Sequence, residues 1–192
     1  MTRIAIIQGH PDPHHGHFCH ALAAAYAEGA AKGGHEVRRI DIADLDFPIL
    51  RSKDEWESPL PDGPLAEAQR TIVWAEHLMI VHPLWLGEMP ALLKAFLEQV
   101  ARGGFGVDAA GGFMRRPLRG RSARVVVTMG MPALIYRWYF GAHGLKNLRR
   151  GILGFVGVRP VRATLIGMIE RPDDLAHARW LDRLEALGRR AS

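Results

Sequence analysis

The chain has 192 residues, 48% of them hydrophobic, and a formal net charge of +5 from 25 Lys+Arg against 20 Asp+Glu. That size suits one ordinary domain with a sizeable core and excludes an intrinsically disordered chain. No run approaches the roughly 18 uninterrupted apolar residues of a membrane span, a single cysteine excludes an intrachain disulfide, and no signal peptide opens the chain, so a cytoplasmic protein is expected.

In chain order, the first predicted element is a continuously apolar strand over residues 4–7. The loop "GHPDPHHGH" (9–17) leads into an alanine-rich helix over 18–34, stopped by Gly33-Gly34. A weaker strand is predicted at 37–42. The polar, proline-rich connection at 51–64 is too short to separate two domains, and a helix over 64–77 opens with Pro64 in its first turn. A third strand is predicted at 77–82. A second loop (83–89) then precedes a helix over 90–101, with Leu93, Phe96, Leu97 and Val100 on one stripe. A basic cluster holding Arg115, Arg116, Arg119 and Arg121 precedes a fourth strand at 123–130. A long aromatic loop closes at 144, and a glycine-weakened helix over 145–157 follows. The last elements are a strand at 161–167 and an amphipathic helix over 171–190, with Leu175, Ala178, Leu181, Leu184 and Leu187 on one side.

Regular β-α alternation with crossover helices implies a parallel, doubly wound sheet. Continuously apolar runs at the first, third and fourth strands suit strands buried on both faces. The expected architecture is a flavodoxin-like three-layer α/β sandwich, a single domain over 1–192 with a five-stranded parallel sheet in the order 2-1-3-4-5. Such folds bind ligands beyond the carboxyl ends of the strands, which directs attention to the loops at 9–17, 83–89 and 129–144.

The first loop is neither a dinucleotide fingerprint nor a Walker P-loop. It stands before a helix N-terminus, where unpaired N–H groups and the positive dipole end favour an anion. Backbone N–H groups of His17, Phe18 and Cys19 are the expected phosphate donors. A metal site is not expected, because His10, His14, His15, His17 and His20 lack an acidic or cysteine partner at a diagnostic spacing. In the second loop, Trp85 offers a flat apolar surface and Gly87 allows close backbone approach, which suits a planar ring. In the third, Tyr136, Trp138, Tyr139 and Phe140 could wall an aromatic pocket or form an oligomer interface, with His143 and the tyrosines as proton donors. The basic cluster lacks recognition-helix or zinc-finger spacing, so no nucleic-acid partner is expected.

Together, "GHPDPHHGHFCHAL", "HPLWLGEMPALLKAFLEQV", "VVVTMGMP…FGAHG" and "GILGFVGVRPV" resemble the flavodoxin-like NAD(P)H:quinone oxidoreductases. These include DT-diaphorase, the modulators of drug activity and the ancillary reductases of potassium-efflux systems. The blocks cover most of the chain in the right order, and the second is the most specific. The resemblance implies tightly bound FAD or FMN, NAD(P)H as electron donor, and ping-pong two-electron transfer to a quinone in the same pocket. It implies phosphate and ribityl contacts at His10, His17, Phe18 and Cys19. It implies ring contacts at Pro83, Leu84, Trp85, Leu86 and Gly87, with Thr128, Met129, Gly130 and Met131 on the other side. His143 matches the family's active-site histidine. Arg137 stands where the relay tyrosine would fall, leaving Tyr136 or Tyr139 as substitutes, and Met129 replaces a small residue. The resemblance further implies a homodimer with the active site at its interface. An azo- or nitroreductase in the same pocket, a regulatory flavoprotein of a potassium-efflux system and a flavodoxin-type electron carrier are the alternatives.

Overall fold

The computed structural model describes residues 1–14, 16–103, 105, 116–170 and 174–192. His15, Arg115 and the predicted helix start at 171–173 lie outside the described residues. The strands are β1 (Arg3–Gln8), β2 (Glu36–Asp41), β3 (His77–Pro83), β4 (Ser122–Thr128) and β5 (Val161–Ile166). All four pairings are parallel, in the order β2-β1-β3-β4-β5, so the expected topology is found.

Two-sided burial explains the apolar runs. In β1, Ile4 and Ile6 face one layer while Ala5 and Ile7 face the other, and β3 divides Met79 and Val81 from Leu78 and Ile80 in the same way. The first layer is α1 (Phe18–Lys32) with α7 (Asp174–Arg189). The second contains α3 (Pro64–Trp74) and α4 (Ala91–Val100), and the predicted stripe Leu93, Phe96, Leu97 and Val100 is buried there. No helix of the described residues is long and apolar enough to cross a membrane.

Helices α1 and α7 touch backbone to backbone. A Cβ at Gly29 would fall inside the shell of the Glu185 carbonyl, and one at Gly188 inside that of the Tyr26 carbonyl. The periodic pattern on α7 is therefore only half used. Leu184 and Leu187 are buried, but Leu175 is 73% exposed, because the close contact sits at the C-terminal end of the helix.

Three other elements differ from expectation. The connection at 51–64 contains α2 (Lys53–Glu57), capped by Ser52 Oγ accepting from the Glu55 N–H at 3.1 Å, while Glu55 Oε2 accepts from the Arg51 N–H. That Ser-x-x-Glu spacing is a helix-start signal. The third loop contains α5 (Ala133–Trp138). The helix expected at 145–157 is instead α6 (His143–Lys146) running into a π-helical segment, Asn147–Leu153. The Gly154 N–H reaches back five residues to the Arg149 carbonyl, at 3.0 Å. Glycines at 151 and 154 leave no side chain to resist that wider turn.

Two core histidines tie stability to pH. Burial pushes the pKa of both His77 and His82 down to about 4, with Arg124 adding to the effect at His77 and a bond to the Pro83 carbonyl opposing it at His82. A depressed folded pKa favours the neutral form, so the stabilisation is full above the unfolded value near 6.5 and is lost as pH falls toward 4. From that linkage, folding should weaken by about 2 kcal/mol per histidine between pH 7.5 and 5. Urea midpoints at the two pH values measure this, and equal midpoints would refute it. Separately, Gly29→Ala should cost about 3 kcal/mol by overpacking, despite alanine's better helix propensity. A Gly29→Ala protein with unchanged thermal midpoint would show that the two helices can part freely.

Candidate functional site

The carboxyl ends of β1, β3 and β4 lie side by side, so their three loops share one edge of the molecule. The first loop is braced from within. Gln8 Oε1 accepts from the His10 N–H at 2.7 Å, and Asp12 Oδ1 accepts from the His14 N–H at 2.9 Å, the turn expected of an Asp set between prolines. The Asp12 N–H donates to His10 Nδ1 at 3.2 Å, which makes that nitrogen the acceptor and leaves the proton on Nε2 in the neutral ring. His17 Nε2 bonds Asp12 Oδ2 at 2.8 Å, and the His10 and His17 rings stack with centroids 4.0 Å apart. Burial first, then the charges of His17 and His20, lowers the His10 pKa, whereas the His14 N–H and the His17 ring lower that of Asp12.

Helix α1 follows directly. Its first backbone bonds run from the His20 and Ala21 N–H groups to the His17 carbonyl. The N–H groups of Phe18 and Cys19 thus stand ahead of the helical ladder, at the positive dipole end. The Cys19 thiol itself is committed. It is buried against Thr128 Oγ1 at 3.2 Å, and burial raises its pKa to about 11 despite that bond. A lowered thiol pKa, one reading of a cysteine at a helix start, is therefore not found. His20 is buried in the layer under the loop, whereas His14 is exposed. Among the described residues, no group of three or more His, Cys, Asp or Glu could hold a metal ion.

The second loop is a tight hairpin. Trp85 and Glu88 exchange both backbone bonds at 2.9 Å around Leu86 and Gly87, whose φ angles are 49° and 82°. Positive φ at both central residues is the type I′ turn, and only Gly87 adopts it without strain. Leu86 holds the left-handed conformation with its side chain wholly in solvent. The backbone of the tip is thus pushed outward beside the half-exposed Trp85 ring, whose centroid lies 6.1 Å from that of His10. Pro83 is buried and pairs in register with Thr128, and the Leu84 N–H donates to the Thr128 carbonyl at 2.8 Å.

The third loop closes on the hairpin. The Tyr136 hydroxyl accepts from the Leu145 N–H at 3.1 Å and lies 3.5 Å from the Gly87 carbonyl. Tyr136 is 1% exposed and burial raises its pKa, so it is a strut inside the fold rather than a wall of an open pocket. Tyr139 projects into solvent edge-on to Phe140. Met129 is buried, with its N–H bonded to the Ile166 carbonyl, whereas Gly130 is exposed and Met131 half-buried. Gly141 and Ala142 both have positive φ, a sharp turn that sets exposed His143 at the start of α6. A Cβ on Gly144 would lie 2.5 Å from the Gly87 carbonyl oxygen and 2.8 Å from Glu88 Oε2. Glycine at 144 is what lets α6 rest on the hairpin.

The sequence singled out the three loops but missed Gln8, Asp12, Glu88 and Gly144, which fasten them. Asp12 carried a turn signal, in "PDP". The others depend on contacts between loops and carried none.

A parallel sheet in this order, with polar loops gathered at its carboxyl edge, defines a flavodoxin-like protein. The flavodoxin-like fold family matches residues 2–187, and the chain belongs to that family. An NAD(P)H oxidoreductase from Haemophilus influenzae is 24% identical over 182 residues, covering 92% of this chain and 89% of that protein. NAD(P)H dehydrogenase [quinone] 1 of Cavia porcellus is 28% identical, covering 96% of this chain and 77% of its own length. Among solved structures, the NAD(P)H:quinone oxidoreductase from Methanothermobacter marburgensis superposes with a TM-score of 0.77 at 23% identity, over 98% of this chain and 94% of that one. An FMN-dependent NADH-azoreductase from Bacillus anthracis, in complex with FMN, gives 0.75 at 17%, over 98% of both chains.

Gly144→Ala should separate α6 from the hairpin, lowering stability by about 1–3 kcal/mol and changing the emission of Trp85. Wild-type stability and emission would show that the two loops are not in contact.

Proposed function

We propose that the protein is a flavin-dependent NAD(P)H oxidoreductase that reduces quinones or related electrophiles by two-electron, ping-pong transfer. The observation that carries this reading is the meeting of three loops at one edge, with an outward hairpin backbone, free helix-start N–H groups and an exposed histidine. These parts fit a flavin, FAD or FMN. The N–H groups of Phe18 and Cys19 would hold its phosphate, and His10 Nε2–H and His17 would add donors. The tip Trp85-Leu86-Gly87 would lie along the ring system, with Pro83, Leu84, Thr128 and Met129 supporting its bed and Gly130 and Met131 facing its other side. Thr128 and Cys19 bond each other, so their contribution runs through backbone and packing.

When bound, the flavin supplies the redox chemistry, accepting two electrons from NAD(P)H and passing them on. The chain's own work is to place and to protonate. The hairpin N–H groups present fixed dipoles to negative charge on the ring edge. His143, exposed beside the hairpin, is the group placed to give a proton to the acceptor oxygen. The buried Tyr136 keeps the hairpin and α6 in register, and Tyr139 stands at the rim of the slot. An azoreductase reading uses the same parts, because acceptor choice depends on the shape of that slot.

Exposed Leu86, Ile135, Tyr139 and Phe140 would border the slot, while Leu134 and Trp138 face the edge of β5. Contiguous apolar surface of that kind marks an interface, and a homodimer that closes the slot is the arrangement it suits.

The purified protein should be yellow, with absorbance near roughly 375 and 450 nm from the cofactor. It should oxidise NAD(P)H in the presence of menadione. A colourless protein that takes up neither FAD nor FMN would refute the reading. His143→Ala should lower turnover at least tenfold with little change in flavin content; an equal fall in both would make His143 a flavin-binding residue instead.

A further inference from the structure

Between Asp108 and Glu170 the sequence contains no carboxylate and carries ten arginines and one lysine. The fold gathers many of these cations along the outer edge of β5, where α5 and α6 border it. Two adjoining cavities run beside that strand, of about 690 and 840 Å3, sharing Lys146 and Arg149. Arg124, Arg137 and Arg183 complete the basic lining of the first and Arg150 and Arg159 that of the second, and among the described residues no acidic side chain lines either. Among the described residues, no side-chain carboxylate pairs with Arg137, Lys146, Arg149, Arg150, Arg159 or Arg183.

Such crowding is self-repulsive. Arg124 lies at the floor, 8% exposed, held by the Ser192 carbonyl and Thr164 Oγ1. Its pKa is pulled down first by burial, then by Arg162, Arg183 and Arg190, with Tyr26 opposing. Two indoles also line the first cavity. Arg137 sits 5.7 Å from the Trp138 ring centroid and Arg183 sits 5.1 Å from that of Trp180.

A second copy of this chain on the same edge would set cations against cations, so charge argues against self-pairing here. An acidic peptide would satisfy the charge but leave the rings unused. A ligand with clustered phosphates and a planar base satisfies both, because guanidinium groups bind phosphate oxygens in pairs and stack with aromatic faces. The cavity size also suits a small ligand. We propose that the groove along β5, which borders the third loop through Leu134, Arg137, Trp138, Gly141 and Ala142, is a second site that binds a free nucleoside di- or triphosphate. The proposal stands on its own observations and does not depend on the flavin reading.

Calorimetric titration of the protein as purified with ATP, tripolyphosphate and adenosine tests it. ATP should bind more tightly than either fragment, and more weakly as salt rises. The double variant Arg149→Gln, Arg183→Gln, both residues exposed, should weaken ATP at least tenfold while leaving the thermal midpoint and the KM for NAD(P)H in menadione reduction unchanged. Unchanged ATP affinity in that variant would overturn the proposal. So would tripolyphosphate binding as tightly as ATP, because the base would then go unread. A KM for NAD(P)H that rises in step with the loss of ATP would assign the groove to the electron donor. Tighter binding of a single-stranded oligonucleotide than of ATP at equal salt would assign it to nucleic acid, and either result overturns a separate nucleotide site. Arg137→Gln, measured in parallel, should weaken ATP in the same direction; no effect there would remove the Trp138 wall from the site.

Discussion

Burial of β1, β3 and β4 on both faces is the constraint on which the rest of the molecule depends. A strand covered above and below can offer a ligand only its ends. Polar backbone therefore surfaces where these strands stop, and the chemistry-bearing side chains collect there. The two helical layers are not equivalent. Helices α1 and α7 meet through Gly29 and Gly188 with almost no side chain between them, which draws one layer tightly onto the sheet.

The segments at the carboxyl edge are held to one another as well as to the core. His10 reaches the Trp85 ring, Cys19 reaches Thr128, and Tyr136 and Gly144 both reach Gly87. Each pair joins segments far apart in the chain, so the edge behaves as one preformed surface. Leu86, like Ala142, carries left-handed backbone that glycine would relax. Its retention of a bulky side chain, fully in solvent, fits a tip that meets something apolar beyond the chain itself.

Much of the fold was legible in the sequence, because two-sided burial writes continuous apolar runs that alternate with helical ones. The strand order followed from the number and spacing of those runs. The locations of the loops were legible for the same reason. Directions of side chains within them were not. Tyr136 and Tyr139 look equivalent in "ALIYRWYF", yet one is a buried strut and the other is solvent-facing, a difference set by Gly87 and Leu145 far along the chain. His20 reads as one more loop histidine but falls on the inner face of α1. Leu175 keeps the helical period of α7 and is still exposed, since close approach of the helices occurs only toward the end where glycines permit it. The π-helical segment left no periodic trace, and α2 left only the Ser52–Glu55 spacing.

Cys19 gives the last consequence. It is the only thiol in the chain, and its burial against Thr128 keeps it protonated at any physiological pH. Quinones are soft electrophiles that arylate thiolates. A catalyst handling them with a reactive cysteine near its cofactor bed would be alkylated by its own substrate. Here the sulfur is packed away as a small apolar group beside the N–H groups assigned to the phosphate, so under the proposed function the thiol would be out of reach of the quinones.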